Sequence, residues 1–187
     1  MLQHGQIENP LLLAHSAMLE KDYKQVTTFS RQARTQIEWS WPAWQIEAQT
    51  WLEQAQTALD AGDYEVARQN YQSTYKTLRQ ATDFARSLPA IAEMQCRLDA
   101  SIIYATELTN LAEETYRADG CERLFALSPV DEQHRALVAV AYEKAAIRNL
   151  RFAKDPGSEL ARAHELVGAG QLNTAEGYFA RGLADAI

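Results

Sequence analysis

The sequence predicts an all-α protein, a single domain of stacked antiparallel helical hairpins with about seven or eight helices along its 187 residues. Apolar and small residues recur at steps of three and four along most of the chain. Gly-Asp and Lys-Asp corners separate these stretches. Hydrophobic residues make up 47% and charged residues 23%, with only 8 Gly and 5 Pro, a composition typical of globular chains. An irregular helical bundle is the alternative arrangement of the same helices.

The central stretch, residues 51–78, contains the clearest hairpin pattern. Aromatic and alanine side chains mark one face of its first helix: Trp44, Ala48, Trp51, Ala55 and Ala58. Gly62 can adopt the left-handed conformation that ends a helix, and Asp63 can cap the helix that follows. The second helix repeats the pattern with Tyr64, Ala67, Tyr71, Tyr75, Leu78 and Ala81. We therefore predict a hairpin over residues 43–87, with Trp44 and Trp51 in its core.

These residues resemble a tetratricopeptide repeat. Gly62, Asp63 and Tyr64 match the family's corner. The family's small and aromatic positions are matched by Ala67, Tyr71, Trp51 and Ala55. The departures from its pattern are Gln54 in place of Leu, Thr74 in place of Ala and Arg79 in place of the closing proline. The resemblance implies a scaffold that binds a protein or peptide partner.

The first hairpin is predicted over residues 10–38, after a frayed segment at 1–9. Asn9 and Pro10 are a cap and first-turn pair for a helix that runs to Glu20. Lys21-Asp22-Tyr23 then stands where Gly62-Asp63-Tyr64 stands later. The two hairpins are therefore expected to turn in the same way.

Three tryptophans lie in the six residues from Trp39 to Trp44, around Pro42. One interpretation is that they fill the junction between two hairpins, since a buried aromatic side chain removes roughly 150–250 Å² from water. The other is a partner or ligand surface, because Trp is frequent at binding hot spots. Trp39 and Trp41 are the candidates for the second role, since they precede the helix.

The longest predicted helix runs from Pro89 to about Tyr116, with apolar residues at near-heptad spacing. Such a seam requires a partner helix. We expect that helix within the chain, and a homodimer formed through residues 89–116 is the alternative. Asp119-Gly120 is expected to end this helix, and Cys121 to Ser128 to form a short connecting segment.

A further helix is predicted from Val130 to about Lys154, followed by a last hairpin over residues 158–187. Lys144, Arg148 and Arg151 form a basic stripe on that helix. A solvated helix face is the simpler interpretation, and contact with an acidic partner or a phosphate is the alternative.

The two cysteines, Cys96 and Cys121, lack CxxC spacing, so free thiols are expected rather than a disulfide or a metal site. A net charge of −7 disfavours nucleic acid and anionic membranes as partners. No apolar run approaches the roughly 20 residues of a membrane span, and the apolar run after Pro10 is too short for a signal peptide. A cytoplasmic protein is expected.

No pattern in the sequence indicates catalysis, a metal or a cofactor. None of the 4 histidines follows a Glu by three residues, as a di-iron bundle requires. Asp131 and His134 are two ligands without partners, which is typical of a capped turn. We therefore expect a non-catalytic interaction scaffold with contacts at Trp39, Trp41, Gln54 and Gln56. The alternatives are a small-molecule sensor bundle and a self-associating structural subunit.

Overall fold

The computed structural model describes residues 9–109, 119–151 and 157–168 and confirms the all-α prediction, with eight helices in that part of the chain. The helices are α1 (Pro10–Leu19), α2 (Tyr23–Gln36), α3 (Trp41–Asp60), α4 (Tyr64–Ala85), α5 (Pro89–Thr109), α6 (Asp119–Leu127), α7 (Glu132–Arg151) and α8 (Gly157–Gly168). The second half of the predicted hairpin at 158–187 and residues 1–8 of the predicted frayed segment at 1–9 lie outside the described residues.

The helices pack as four successive hairpins: α1 with α2, α3 with α4, α5 with α6, and α7 with α8. The second helix of each hairpin also contacts the first helix of the next. In addition α1 contacts α3, α3 contacts α5, and α5 contacts α7. The first helices therefore form one continuous row, and the hairpins are stacked along it.

The first two hairpins turn through the same backbone motif. Lys21 and Gly62 both have positive φ, at 57° and 78°. In both turns the N–H of the following residue donates to a carbonyl five residues earlier. Asp22 donates to the Ala17 carbonyl at 2.9 Å, and Asp63 donates to the Ala58 carbonyl at 2.8 Å. Each aspartate then accepts from the N–H three residues on, which satisfies one of the unpaired donors of the new helix.

One of the core clusters joins α3, α4 and α5. Alanines on α3 and α4 let the two backbones approach closely, and larger side chains of α4 and α5 fill the remaining space. Its buried members are Ala48, Ala55, Ala58, Ala67, Tyr71, Leu78, Met94, Leu98, Ile102 and Ala105. Trp44 is also buried, as predicted, in a smaller cluster with Ala81 and Ile91.

The apolar seam of α5 is buried within the chain. Ile91, Leu98 and Ala105 are almost fully shielded from solvent. Over the described part of α5, these seam residues therefore pack against other helices of the same chain. Residues 110–116, on which the prediction of one long helix also depends, lie outside the described residues.

The expected role of Asp119-Gly120 as a helix end is wrong, since both residues begin α6. A Cβ on Gly120 would lie 2.6 Å from Gln95 Cβ, so α6 packs against α5 at the closest approach that glycine allows. The segment expected to connect two helices is itself helical because Cys121 and Leu124 are buried one turn apart.

The expectation of free thiols is also wrong. Cys96 on α5 and Cys121 on α6 form a disulfide across 25 residues. Sequence spacing did not indicate this pairing, because the two cysteines meet only when α6 folds back on α5. No helix in the described ranges is long and apolar enough to cross a membrane.

Candidate functional site

A groove lies between α2 and the second half of α3. Its α2 wall consists of residues at helical spacing that share one face: Tyr23, Lys24, Thr27, Thr28 and Arg31. Trp51 and Gln54 of α3 complete it. The cavity has a volume of about 440 Å³ and is open to solvent along one side. We call these seven residues the α2–α3 groove.

A buried ion pair fixes the two helices that form the groove. Glu47 of α3 is 3% exposed and pairs with Arg34 of α2. The Arg34 guanidinium lies 3.8 Å from the centre of the Trp44 ring, and Trp44 Nε1 donates to the Glu38 carbonyl at 3.2 Å. Burial lowers the pKa of Arg34, and the charge of Glu47 opposes that effect. Removing Glu47 would leave the largely shielded Arg34 guanidinium without its counter-charge.

The groove has a positive charge that the chain as a whole lacks. Lys24 and Arg31 are exposed, and none of the lining residues that the structure describes is Asp or Glu. Arg31 Nε lies 3.5 Å from Glu47 Oε1, but Glu47 is already paired with Arg34 and the Arg31 side chain stays 65% exposed. Arg31 therefore keeps donors for a ligand.

The structure places one of the two predicted glutamines in the groove. Gln54 lines it and donates to the Thr50 carbonyl at 3.2 Å. Gln56 is exposed outside the groove and donates to Asp60 Oδ1 at 2.8 Å. Trp51, which the sequence assigned to the core, is only half-buried because it borders the groove.

The predicted aromatic surface lies at the turn between α2 and α3. Trp39 is 69% exposed and Trp41 is 37% exposed, whereas Trp44 beside them is buried and stacks on Phe84 with ring centroids 6.2 Å apart. Trp39 and Trp41 do not line the α2–α3 groove. The structure therefore separates these two candidate surfaces.

Two residues of the predicted basic stripe on α7 are less exposed to solvent than residues on a solvated helix face would be. Lys144 and Arg148 are half-buried, and burial lowers the pKa of Lys144. Arg151 is the last residue of α7, and its side chain lies outside the described part of the structure. Neither Lys144 nor Arg148 is among the residues that line the α2–α3 groove.

A second cavity of about 290 Å³, which we call the α4–α6 cleft, lies where α4, α5 and α6 meet and is the more enclosed of the two. Its lining residues are Tyr75, Arg79, Thr82, Asp83, Gln95, Leu98, Asp99, Asp119, Gly120 and Arg123. Asp99 is buried and accepts from the Gly120 N–H at 3.1 Å. Burial raises the pKa of Asp99 to about 8, although hydrogen bonding to Gly120 opposes the shift.

Sequence reasoning missed the charged residues of both cavities. Lys24 and Arg31 read as ordinary surface residues, although their seven-residue spacing places them on one helix face. Asp99 and Arg123 gave no signal because neither lies in a motif. Asp131 does cap α7, accepting from the His134 N–H at 3.0 Å, as the sequence indicated.

Comparisons with protein-family models, with curated proteins and with solved structures find no match to this chain. Within the described ranges there is no group of three His, Cys, Asp or Glu side chains suited to a metal ion.

Proposed function

We propose that this chain is a non-catalytic interaction scaffold whose α2–α3 groove binds an acidic segment of a partner protein. The observation that carries the proposal is the groove's lining in a chain of net charge −7. The described lining residues include two exposed cations and two aromatic side chains, and none of them is acidic. Opposite charge steers an acidic segment to such a surface, and aromatic side chains supply contact area.

The dimensions of the groove suit a short extended peptide. From Tyr23 to Arg31 helix α2 rises about 12 Å, the length of roughly four residues of extended chain. The Thr27 and Thr28 hydroxyls donate to carbonyls of their own helix at 2.9 Å, and each oxygen keeps lone pairs that can accept from a peptide N–H. Lys24 and Arg31 lie near the two ends of the α2 wall of the groove, and each would bind a carboxylate of the peptide.

The stacked hairpins and the resemblance to a tetratricopeptide repeat support the scaffold class, since such hairpin stacks expose extended binding surfaces. The proposal includes no catalytic residue, cofactor or metal. A cytoplasmic location was expected partly because of free thiols, and the disulfide removes that support.

The test is binding of fluorescent hexapeptides that are rich in Asp and Glu, measured by anisotropy beside neutral and Lys-rich peptides. We expect saturable binding of acidic peptides only, weakened by salt because the contacts are exposed charges. Lys24→Glu with Arg31→Glu should abolish it. The matched control, Lys76→Glu with Arg97→Glu, reverses two charges outside the groove and should bind normally. Equal binding by both double variants would refute the proposal.

A further inference from the structure

The α4–α6 cleft has no role in the proposed peptide binding and carries charges of both signs. Arg79 and Arg123 supply positive charge, and Asp83 and Asp119 supply negative charge, whereas burial raises the pKa of Asp99 to about 8 and keeps it mostly protonated at neutral pH. A volume of about 290 Å³ lies at the lower end of the range for small-molecule sites. The cleft therefore suits a compact polar molecule.

Arg123 has hydrogen-bond donors that the protein does not use. Its Nη1 donates to the Thr82 hydroxyl oxygen at 3.4 Å, a long contact. That hydroxyl also accepts from Gln95 Nε2 at 3.1 Å and donates to the Leu78 carbonyl at 2.8 Å. The Nε and Nη2 atoms of Arg123 are buried without a partner. Unpaired buried donors of a charged group are costly, so this arrangement calls for an acceptor.

The two unused atoms form the edge of the guanidinium that binds a carboxylate through two parallel hydrogen bonds. Arg162 uses the same edge in this structure, since its Nε and Nη2 donate to the two carboxylate oxygens of Glu122, each at 3.1 Å. Arg123 lacks such a partner. A carboxylate brought by a ligand would supply the missing acceptor.

The acidic side of the cleft suits an amine. Asp83 of α4 and Asp119 of α6 are exposed at its edge, and their carboxylates can accept from an ammonium group. Asp99 lies deeper and its Oδ2 already accepts from Gly120. An ammonium group on the ligand would offset the repulsion that these acids exert on its carboxylate.

We propose that the α4–α6 cleft is a binding site for a small zwitterion of the amino-acid type, with its carboxylate on Arg123 and its ammonium group on Asp83 and Asp119. The guanidinium turns toward the cleft when the ligand enters, which is feasible because its one hydrogen bond within the described part of the chain is the long contact to Thr82. The site is separate from the α2–α3 groove, so either proposal can fail without the other.

The test is calorimetric titration of the intact protein with each standard amino acid. Every amino acid that binds is then compared with its decarboxylated amine and its deaminated acid. We expect saturable binding of at least one amino acid and at least about tenfold weaker binding of both analogues. Arg123→Gln should lose binding by a similar factor, whereas the control Arg97→Gln, on the exposed side of α5, should bind normally.

Two further variants keep the test decisive if Arg123→Gln fails to fold by circular dichroism. Arg123→Lys keeps the charge but loses the paired donors, and Asp119→Asn removes charge at the edge of the cleft. Both should weaken binding about tenfold. Absence of saturable binding by every amino acid would overturn the proposal, as would unchanged affinity in the folded Arg123 and Asp119 variants.

Discussion

Lys21 and Gly62 occupy the same position in two successive hairpins, and both adopt a left-handed backbone conformation. The N–H of Lys21 donates to the Met18 carbonyl and that of Gly62 to the Leu59 carbonyl, each at 3.0 Å. A residue with a Cβ is strained in this conformation and glycine is not. The first hairpin therefore contains strain that the second avoids.

Exchanging these two residue types should change stability in opposite directions. Lys21→Gly is expected to raise the free energy of unfolding by about 0.5–1 kcal/mol, and Gly62→Lys to lower it by about 1 kcal/mol. A Cβ at Gly62 would meet no atom within 4 Å. The loss of stability in Gly62→Lys would therefore come from backbone strain and not from a steric clash of that Cβ. Urea denaturation measures both, and a destabilised Lys21→Gly variant would contradict this account.

The caps at the turns of the first two hairpins could be predicted from the sequence, because they depend only on residues close together in the chain. Asp22 and Asp63 cap α2 and α4 from positions that residue type alone identifies. The α6 helix was not predictable in the same way, since Gly120 reads as a helix end and is instead required by contact with Gln95 on another helix. The charged cavities were missed for the same reason, because they arise from packing between helices distant in sequence.

Gly120→Ala should destabilise the protein more than Gly62→Ala does. The added methyl group would meet the Gln95 backbone and the Asp99 carboxylate at 2.8 Å, so α6 would have to move away from α5. Overpacking of this kind costs about 1–3 kcal/mol. Thermal denaturation of the two variants tests it, and equal melting temperatures would show that α6 accommodates the methyl group freely.

Removing the disulfide by mutation should lower the free energy of unfolding by the same amount as reducing it with a thiol reagent. A cross-link that closes a loop of 25 residues is worth roughly 3–4 kcal/mol in the loop-entropy model. Cys96→Ala with Cys121→Ala should match the reduced protein in denaturant midpoint. Thiol counting on protein labelled in intact cells gives the redox state there, and two free thiols would contradict the pairing.

The stabilisation contributed by Asp99 and Glu143 should fall as pH rises from about 4 to 8. Burial raises the pKa of Asp99 to about 8 and that of Glu143 to about 7, from ordinary values of 3.8 and 4.5. At these two groups the folded state thus binds protons more tightly than the unfolded state. The stabilisation from these groups is complete below pH 4 and is lost as pH rises through the raised pKa values.

Glu143 gives the sharper test of this dependence, since it is fully buried and neither carboxylate oxygen has a hydrogen-bond partner. Glu143→Gln should stabilise the protein at pH 8 by about 1–3 kcal/mol and much less at pH 5. Glu20→Gln, which removes an exposed carboxylate, is the matched control. A gain of equal size at both pH values would show that ionisation of Glu143 is not the cause.

The most direct measurement of the central claim is an NMR titration of ¹⁵N-labelled protein with an acidic hexapeptide. We expect shifts of the Trp51 indole signal and of the Lys24, Thr28 and Arg31 amides, with the buried Trp44 indole unaffected. Shifts confined to the Trp39 and Trp41 indoles would place binding on the aromatic turn instead. That result, or a spectrum unchanged at saturating peptide, would contradict the α2–α3 groove as the binding site.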